Sequence, residues 1–249
     1  MLTEERRNEI VRMVEQSGSK SVQELMALLK TSESTIRRDL NDLDRKKLLI
    51  KVHGGAVALS KTITADSTVS EREDLNRDTK QQLARYAASL ITNDDIVYLD
   101  AGTTTGFIPD YLTCKNALFV TNAIVHARKL CSLGYQVYMP GGVLKTRTEA
   151  LTGSQTCSYL EKFHFTKGFF GANGITLKEG FTTPDIQEAA VKEVAVKHTR
   201  DRYILCDSSK FDKISSVTFA GFTEAFVITD AGAPAFYKRQ RNIVIAPED

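Results

Sequence analysis

Apolar residues in positions 1–59 recur at helical spacing and then give way to short strand-like runs. Ile10, Val11 and Val14 share one face of a helix that starts after Thr3 and ends at Gly18. Ser21-Val22-Gln23-Glu24 has the capping-box spacing, in which a hydroxyl and a carboxylate three residues apart satisfy each other's backbone N–H groups. It predicts a second helix with Leu25, Leu28 and Leu29 as its buried stripe. The polar turn Lys30-Thr31-Ser32 leads into a third helix. That helix carries Ile36, Leu40 and Leu43 on one face, Ser34, Arg38, Asn41 and Arg45 on the other, and Arg37 at the flank. Leu49 to Leu59 then reads as two strands about a Gly54-Gly55 turn, a hairpin signal. Two short helices joined by a tight turn (a motif at about 20–39) and followed by a hairpin predict a winged helix-turn-helix over residues 1–59.

From Thr79 onward the pattern alternates. Helical stripes run over Gln82–Ile91 (Leu83, Ala87, Leu90), Ile124–Leu133 and Ile186–His198. Between them lie short apolar runs at 96–99, 118–120, 137–139, 168–170, 203–205 and 226–228. Strands alternating with helices predict a Rossmann-like α/β domain with a mostly parallel sheet over 79–249, and ligands of such sheets gather beyond the strands' C-terminal ends. The polar stretch Ser60–Asp66 opens a linker taken as 60–78.

A chain of 249 residues, 42% hydrophobic and 26% charged, is long enough for two globular domains. No apolar run approaches the roughly 20 residues of a membrane span, and the polar start Met1-Leu2-Thr3-Glu4-Glu5 is unlike a signal peptide. A cytoplasmic protein without membrane contact is expected. Cys114, Cys131, Cys157 and Cys206 are scattered without a C-x-x-C pair, which argues against a zinc site or a disulfide scaffold, and no metal is expected. Residues 1–61 carry 12 Lys+Arg against 9 Asp+Glu, and the remainder is close to balanced. The positive excess lies in the helix-turn-helix part but is small, so DNA affinity would rest on placement of charges rather than bulk.

The third helix supplies the candidate DNA contacts. Ser32, Ser34, Arg37 and Arg38 lead, with Ser21, Glu33 and Thr35 near the turn and Lys51 and His53 on the wing. Hydroxyls, amides and guanidinium groups bond phosphates and base edges. The spacing alone also suits a plain three-helix bundle without a ligand. In the larger domain the strand ends collect polar groups. Asp100-Ala101-Gly102-Thr103-Thr104-Thr105 before a helix suits an anion cradle. Thr121-Asn122, Gly141-Gly142, Lys145, Arg147, Gly171–Gly174 and Asp207–Lys210 add cations for a phosphate and amides, hydroxyls and carboxylates for a polyol. Glu188 and Lys192, four apart on a helix, are either a surface pair or part of the site. Asp185 either bonds sugar hydroxyls or caps the helix after it. His126, His164 and His198 have no visible partners and read as structural.

The run Ser32-x-x-Thr35-Ile36-Arg37-Arg38-Asp39-Leu40, with Arg6-Arg7 upstream and His53-Gly54-Gly55-Ala56 downstream, resembles the DeoR family of bacterial repressors. The larger domain resembles it too, at Asp100–Thr105, Thr121-Asn122, Gly141-Gly142, Gly171–Gly174, Glu188-Ala189 and Asp207–Lys210. The resemblance implies a sensor domain sharing its fold with ribose-5-phosphate isomerase, and a repressor of fructose uptake and phosphorylation genes released from DNA by fructose 1-phosphate. Fructose 1,6-bisphosphate, tagatose phosphates or another sugar-phosphate pathway are alternatives. It further implies a homo-oligomer, dimer or tetramer, on double-stranded operator DNA, with no cofactor and no catalysis. Effector phosphate would then sit on Gly102–Thr105 with Lys210 and Arg147, while Asp100, Asn122 and Asp185 bond sugar hydroxyls. The competing enzymatic reading is a sugar-phosphate isomerase with an appended DNA-binding module, Asp100 and Glu188 being its candidate bases.

Overall fold

A computed structural model describes residues 2–17, 19–58, 61–63 and 74–248. The chain forms two units, residues 1–61 with 234–241, and 62–233 with 242–249. The expected helix stop at Gly18, the hairpin's far end at Leu59 and linker positions 60 and 64–73 lie outside the described residues.

In the N-terminal unit, α1 (Thr3–Ser17), α2 (Val22–Leu29) and α3 (Glu33–Arg45) pack around Ile10, Val14, Val22, Leu25, Ile36, Leu40 and Leu43. β1 (Ser19–Ser21), β2 (Ile50–Val52) and β3 (Gly55–Val57) form an antiparallel sheet in the order β1-β3-β2. The hairpin turns at His53-Gly54, where Gly54 adopts φ +88°, a region that favours glycine. Gly55 lies inside β3, and a Cβ there would come 2.3 Å from the Lys20 carbonyl of β1. β1 is too short and too polar to register as an apolar run. The Ser21/Glu24 capping box is present. Leu28, expected in the buried stripe, is 55% exposed. The two-turn helix α2 docks on Val22 and Leu25 with Met26 and Leu29 at the edge, and this narrow face leaves Leu28 outside.

After β4 (Lys61–Ile63), the C-terminal unit opens with the helix Arg77–Ser89. Strands β5 (Ile96–Leu99), β6 (Leu118–Thr121) and β7 (Gln136–Tyr138) follow, then a ribbon of β8 (Val143–Lys145) and β9 (Ala150–Thr152). Next come β10 (Phe165–Gly171), β11 (Gly174–Thr176), β12 (Gly180–Thr183), the helix Ile186–Lys197 and β13 (Thr199–Leu205). The unit continues through β14 (Lys213–Ser215), β15 (Val217–Ala220), β16 (Phe226–Thr229) and β17 (Ile243–Ile245). Seven of these make one parallel sheet in the order β17-β16-β13-β10-β5-β6-β7. Val97, Leu99, Phe119, Phe169, Leu205 and Ile228 bury one of its faces under Leu83 and Ala87 of helix 77–89 and Leu130 of helix Ile124–Ser132. Strands covered on both faces read as unbroken apolar runs, which is why they stood out in the sequence. The ribbon β8–β9 and the antiparallel trio β11-β12-β15 carry no such runs.

The chain winds from β5 outward to β6 and β7, then returns to lay β10, β13, β16 and β17 on β5's other side. The order therefore reverses between β5 and β10, and the diverging connections leave a crevice at those two C-terminal ends.

Candidate functional site

The N-terminal unit presents one polar helix face. Ser32 caps α3, accepting from the Thr35 N–H, and its hydroxyl lies 3.1 Å from that of Ser34 and 2.9 Å from that of Thr35. Arg37 Nε donates to Glu33 Oε1 at 2.8 Å, so these two exposed candidates neutralise each other. Arg45 is bound by Asp42. Arg38 and Asn41 are exposed, and Arg38 makes no ion pair among the described residues. Ser21 is engaged in the capping box, its hydroxyl donating to Glu24 Oε2 at 2.7 Å. On the wing the side chains of Lys51 and His53 are exposed, while the Lys51 N–H donates to Asp44 Oδ1 at 2.9 Å.

The opposite side of α3 carries a group that sequence reasoning did not assign. Asp39 is only 1% exposed. It accepts from Arg6 Nε at 2.6 Å and Arg7 Nε at 2.8 Å, both on α1, and Arg7 also reaches Asp42. Burial alone would raise the Asp39 pKa, but hydrogen bonds from Arg6 and Arg7 outweigh it and hold the carboxyl below its ordinary value. The signal was a carboxylate between Ile36 and Leu40 on the apolar face, with two arginines in α1 to meet it.

The C-terminal unit carries a cleft at the β5/β10 crevice. Asp100, buried just beyond β5, accepts from the Gly171 N–H at 3.0 Å at the end of β10 and from the Lys192 ammonium. Lys192 also donates to the Gly171 carbonyl at 3.0 Å. The surface pair between Glu188 and Lys192 is therefore not formed, because helix 186–197 turns Lys192 under the loop. Glu188 instead accepts from Lys145 Nζ at 3.0 Å and from the Thr148 hydroxyl at 2.7 Å. Asp185 caps the helix, accepting from the N–H groups of Gln187 and Glu188, and pairs with Lys145 at 3.1 Å.

Gly102, Thr103, Thr104, Glu188 and Lys210 line the cleft, together with Lys80, Asn173, Thr183, Lys192 and Asp207. No side-chain hydrogen bond engages Thr103 or Thr104 among the described residues, and Lys210 makes no ion pair there. Lys80 was missed because helix 77–89 was read only for its apolar stripe. It stands three residues before Leu83, on that very stripe, and is buried.

The remaining candidates lie elsewhere. Thr105 faces inward and donates to the Asp100 carbonyl at 2.6 Å, pinning the loop. Thr121 accepts from the Ala123 N–H at 3.1 Å. Asn122 accepts from the Tyr98 hydroxyl at 3.0 Å and donates to the Leu151 carbonyl at 3.0 Å, tying β6 to β9. Gly141 and Gly142 lie between β7 and β8, outside the cleft lining, where a Cβ on Gly142 would meet the Thr152 carbonyl at 2.6 Å. Arg147 is exposed and also outside it.

A second hollow lies against the same loop residues Ala101, Gly102 and Thr103 and includes His126, Lys129, Thr148 and Glu149. Burial pushes the His126 pKa from 6.5 down to about 4. The unfolded chain then binds a proton that the folded chain excludes, so stability falls as pH drops from about 6.5 to about 4, by roughly 3 kcal/mol. Urea unfolding at pH 7 and pH 4.5 checks this, and a drop of equal size in His126→Gln would remove His126 as the cause.

A family profile described as the DeoR-like helix-turn-helix domain matches residues 6–62, and one described as the DeoR C terminal sensor domain matches residues 75–231. The chain is 40% identical over 98% of its length and 98% of the relative's to an uncharacterized HTH-type transcriptional regulator FruR of Bacillus subtilis. The chain belongs to the DeoR family. Other DeoR-type relatives include the HTH-type transcriptional regulator GlpR of Haloferax volcanii, 34% identical over 92% of this chain and 91% of that one. A lactose phosphotransferase system repressor of Staphylococcus epidermidis is 32% identical over 91% of each. Among solved structures, ribose 5-phosphate isomerase A from Methanocaldococcus jannaschii aligns over 55% of each chain at 14% identity, with a TM-score of 0.40, too loose to carry an argument.

As a DeoR-family chain, this is a regulator with a DNA-binding domain and a sensor domain, and its relatives are named for transcriptional regulation rather than catalysis. The comparisons indicate no cofactor. Among the described residues no His/Cys/Asp/Glu cluster is placed to hold a metal ion, and no helix is long and apolar enough to cross a membrane.

Proposed function

We propose that this chain is a sequence-specific repressor of a sugar-utilisation operon, fructose foremost, released from operator DNA by a phosphorylated sugar, fructose 1-phosphate. One observation carries the effector half. Lys210, without an ion pair among the described residues, shares a cleft with the unengaged hydroxyls of Thr103 and Thr104 and the backbone of Gly102. A cation beside unengaged hydroxyl donors suits a phosphate. The names of the FruR and lactose phosphotransferase relatives support the sugar. Arg38, Ser34 and Asn41 on the exposed face of α3 support the DNA half.

Each chain brings one recognition helix, so a dimer or tetramer would engage two half-sites, in the cytoplasm where operator and sugar phosphate meet. The effector must prefer the arrangement that holds DNA poorly, since equal affinity for both arrangements would shift nothing. A preference of about 3 kcal/mol changes operator affinity roughly 150-fold.

Calorimetry and gel shifts on the gene's own upstream fragment, with a panel of phosphorylated sugars, test the proposal. Lack of heat from every sugar, with the operator still held, would leave an unregulated DNA binder. Arg38→Ala should weaken operator binding by about 1–3 kcal/mol, and an unchanged titration would take this residue out of the interface. Lys210→Ala should still bind operator but need at least about tenfold more effector for release, the loss of one charge-assisted contact. Release at the wild-type concentration would end its assignment to the phosphate.

A further inference from the structure

The loop after β13 carries Lys210 to the cleft and, on its other sides, holds the chain close to where it passes from one unit to the other. Those passages follow Lys61, Ala233 and Arg241. Ser208, Ser209 and Lys210 form one short helical turn. The Lys210 N–H closes it on the Asp207 carbonyl at 3.1 Å, and the Asp207 carboxylate caps it, accepting from the Ser209 N–H at 2.9 Å. Three ties run outward from this turn. The Asp207 carboxylate accepts from the Asn76 amide at 3.2 Å, at the start of helix 77–89. The Ser208 N–H donates to Asp230 Oδ1 at 2.6 Å. Asp230 in turn accepts from the Gly232 N–H at 2.9 Å and, through its carbonyl, from the Ala233 N–H at 3.2 Å, just before the second passage. On the far side of Lys210, β14 begins three residues later and pairs with β4, which opens at Lys61.

Asn76, Asp207–Lys210 and Asp230 all belong to the C-terminal unit. Asp207 and Lys210 both line the cleft, and Asp207 is buried. An anion drawn to Lys210 therefore sets a second negative charge near the Asp207 carboxylate, with little water to screen the two. The turn can relieve that repulsion by giving up one set of partners for another, because a packed turn held by discrete hydrogen bonds switches between arrangements instead of deforming continuously. Resting on the effector reading above, we propose that the turn 207–210 is the coupling element of this regulator. Occupancy of the cleft shifts the turn, and its ties to Asn76, Asp230 and β4 carry the shift to the chain at two of its three passages between units.

Two substitutions outside the cleft lining test this. Asn76→Gly removes the amide and keeps the left-handed backbone that Asn76 adopts at φ +55°. Asp230→Ala removes the acceptor of the Ser208 and Gly232 N–H groups. Gel shifts on the full chain measure operator affinity with and without fructose 1-phosphate, fructose 1,6-bisphosphate or tagatose 6-phosphate, and calorimetry measures binding of the same sugars. Whichever sugar releases wild type should bind the double variant within about twofold of wild type, and sugar-free operator affinity should hold as closely, as for independent sites. The factor by which that sugar weakens operator binding should fall at least about tenfold, and operator should weaken sugar binding correspondingly less, because coupling is reciprocal. Each single variant should fall between. A double variant released as readily as wild type overturns the inference and leaves the effector reading standing. Loss of sugar binding itself, or of sugar-free operator binding, overturns it too, since the ties would then belong to a site or a scaffold. Failure of all three sugars to release wild type overturns both.

Discussion

Lys192→Met should destabilise the C-terminal unit by about 3–5 kcal/mol, the usual cost of removing one partner of a buried ion pair. Lys192 is 6% exposed and Asp100 2%, so the Asp100 carboxylate left behind could not recover water. Its remaining donor would be the Gly171 N–H. Methionine occupies similar volume, so little of the loss comes from a cavity. Adding Asp100→Asn should restore more than half of it, because a neutral pair no longer strands a charge. Urea unfolding followed by circular dichroism measures both variants. A midpoint in Lys192→Met equal to wild type would show that the pair holds nothing together. Because the same contacts hold the Asp100–Thr105 loop, surviving Lys192→Met protein should also respond poorly to effector.

Asp39→Asn should be the most damaging single change in the N-terminal unit. Asp39 joins α1 to α3 through Arg6 and Arg7, whose side chains are 14% and 21% exposed and can partly regain water. The expected loss is therefore about 2–3 kcal/mol, below the full cost of a wholly buried pair. In so small a unit that lowers the melting temperature by roughly 10 °C or more. Operator binding should fall with it, although Asp39 faces away from the exposed side of α3. Arg7→Met should fall between, since Arg6 remains. The lowered Asp39 pKa fixes the pH behaviour. Its contribution is fully present above the ordinary carboxylate value and is lost only as pH drops through the lower folded one. Melting within a degree of wild type in Asp39→Asn would dismiss the tie.

The two domains were legible because their periods differ, 3.6 residues in α1–α3 and unbroken apolar runs in a sheet covered on both faces. Placing a cleft beyond the C-terminal ends of the strands was legible as well, since parallel α/β sheets gather ligands there, whereas the strand order that sets β10 beside β5 was not. Nor were the side chains that face the cleft. Thr105, Thr121 and Asn122 stand at strand ends beside Thr103 and Thr104, but one residue's difference turns a side chain inward, and no composition signal marks that turn. Asp39 and Lys80 were overlooked for the converse reason. Each is a charged residue on an apolar stripe, where a helical wheel registers a defect and the structure places a partner or a cleft. Lys192 illustrates the limit of spacing, since four residues' separation from Glu188 says nothing of the sheet beneath.

The charge pairing along α3 bears on how such a regulator finds its target. Glu33 covers Arg37 and Asp42 covers Arg45, so few positive charges on this face displace counterions from arbitrary duplex. A shallow dependence of affinity on salt follows, together with little trapping on the millions of competing chromosomal positions. Molecules that seldom linger off target remain available in small numbers, and a change in metabolite level can then be answered without first emptying a reservoir on bulk genome.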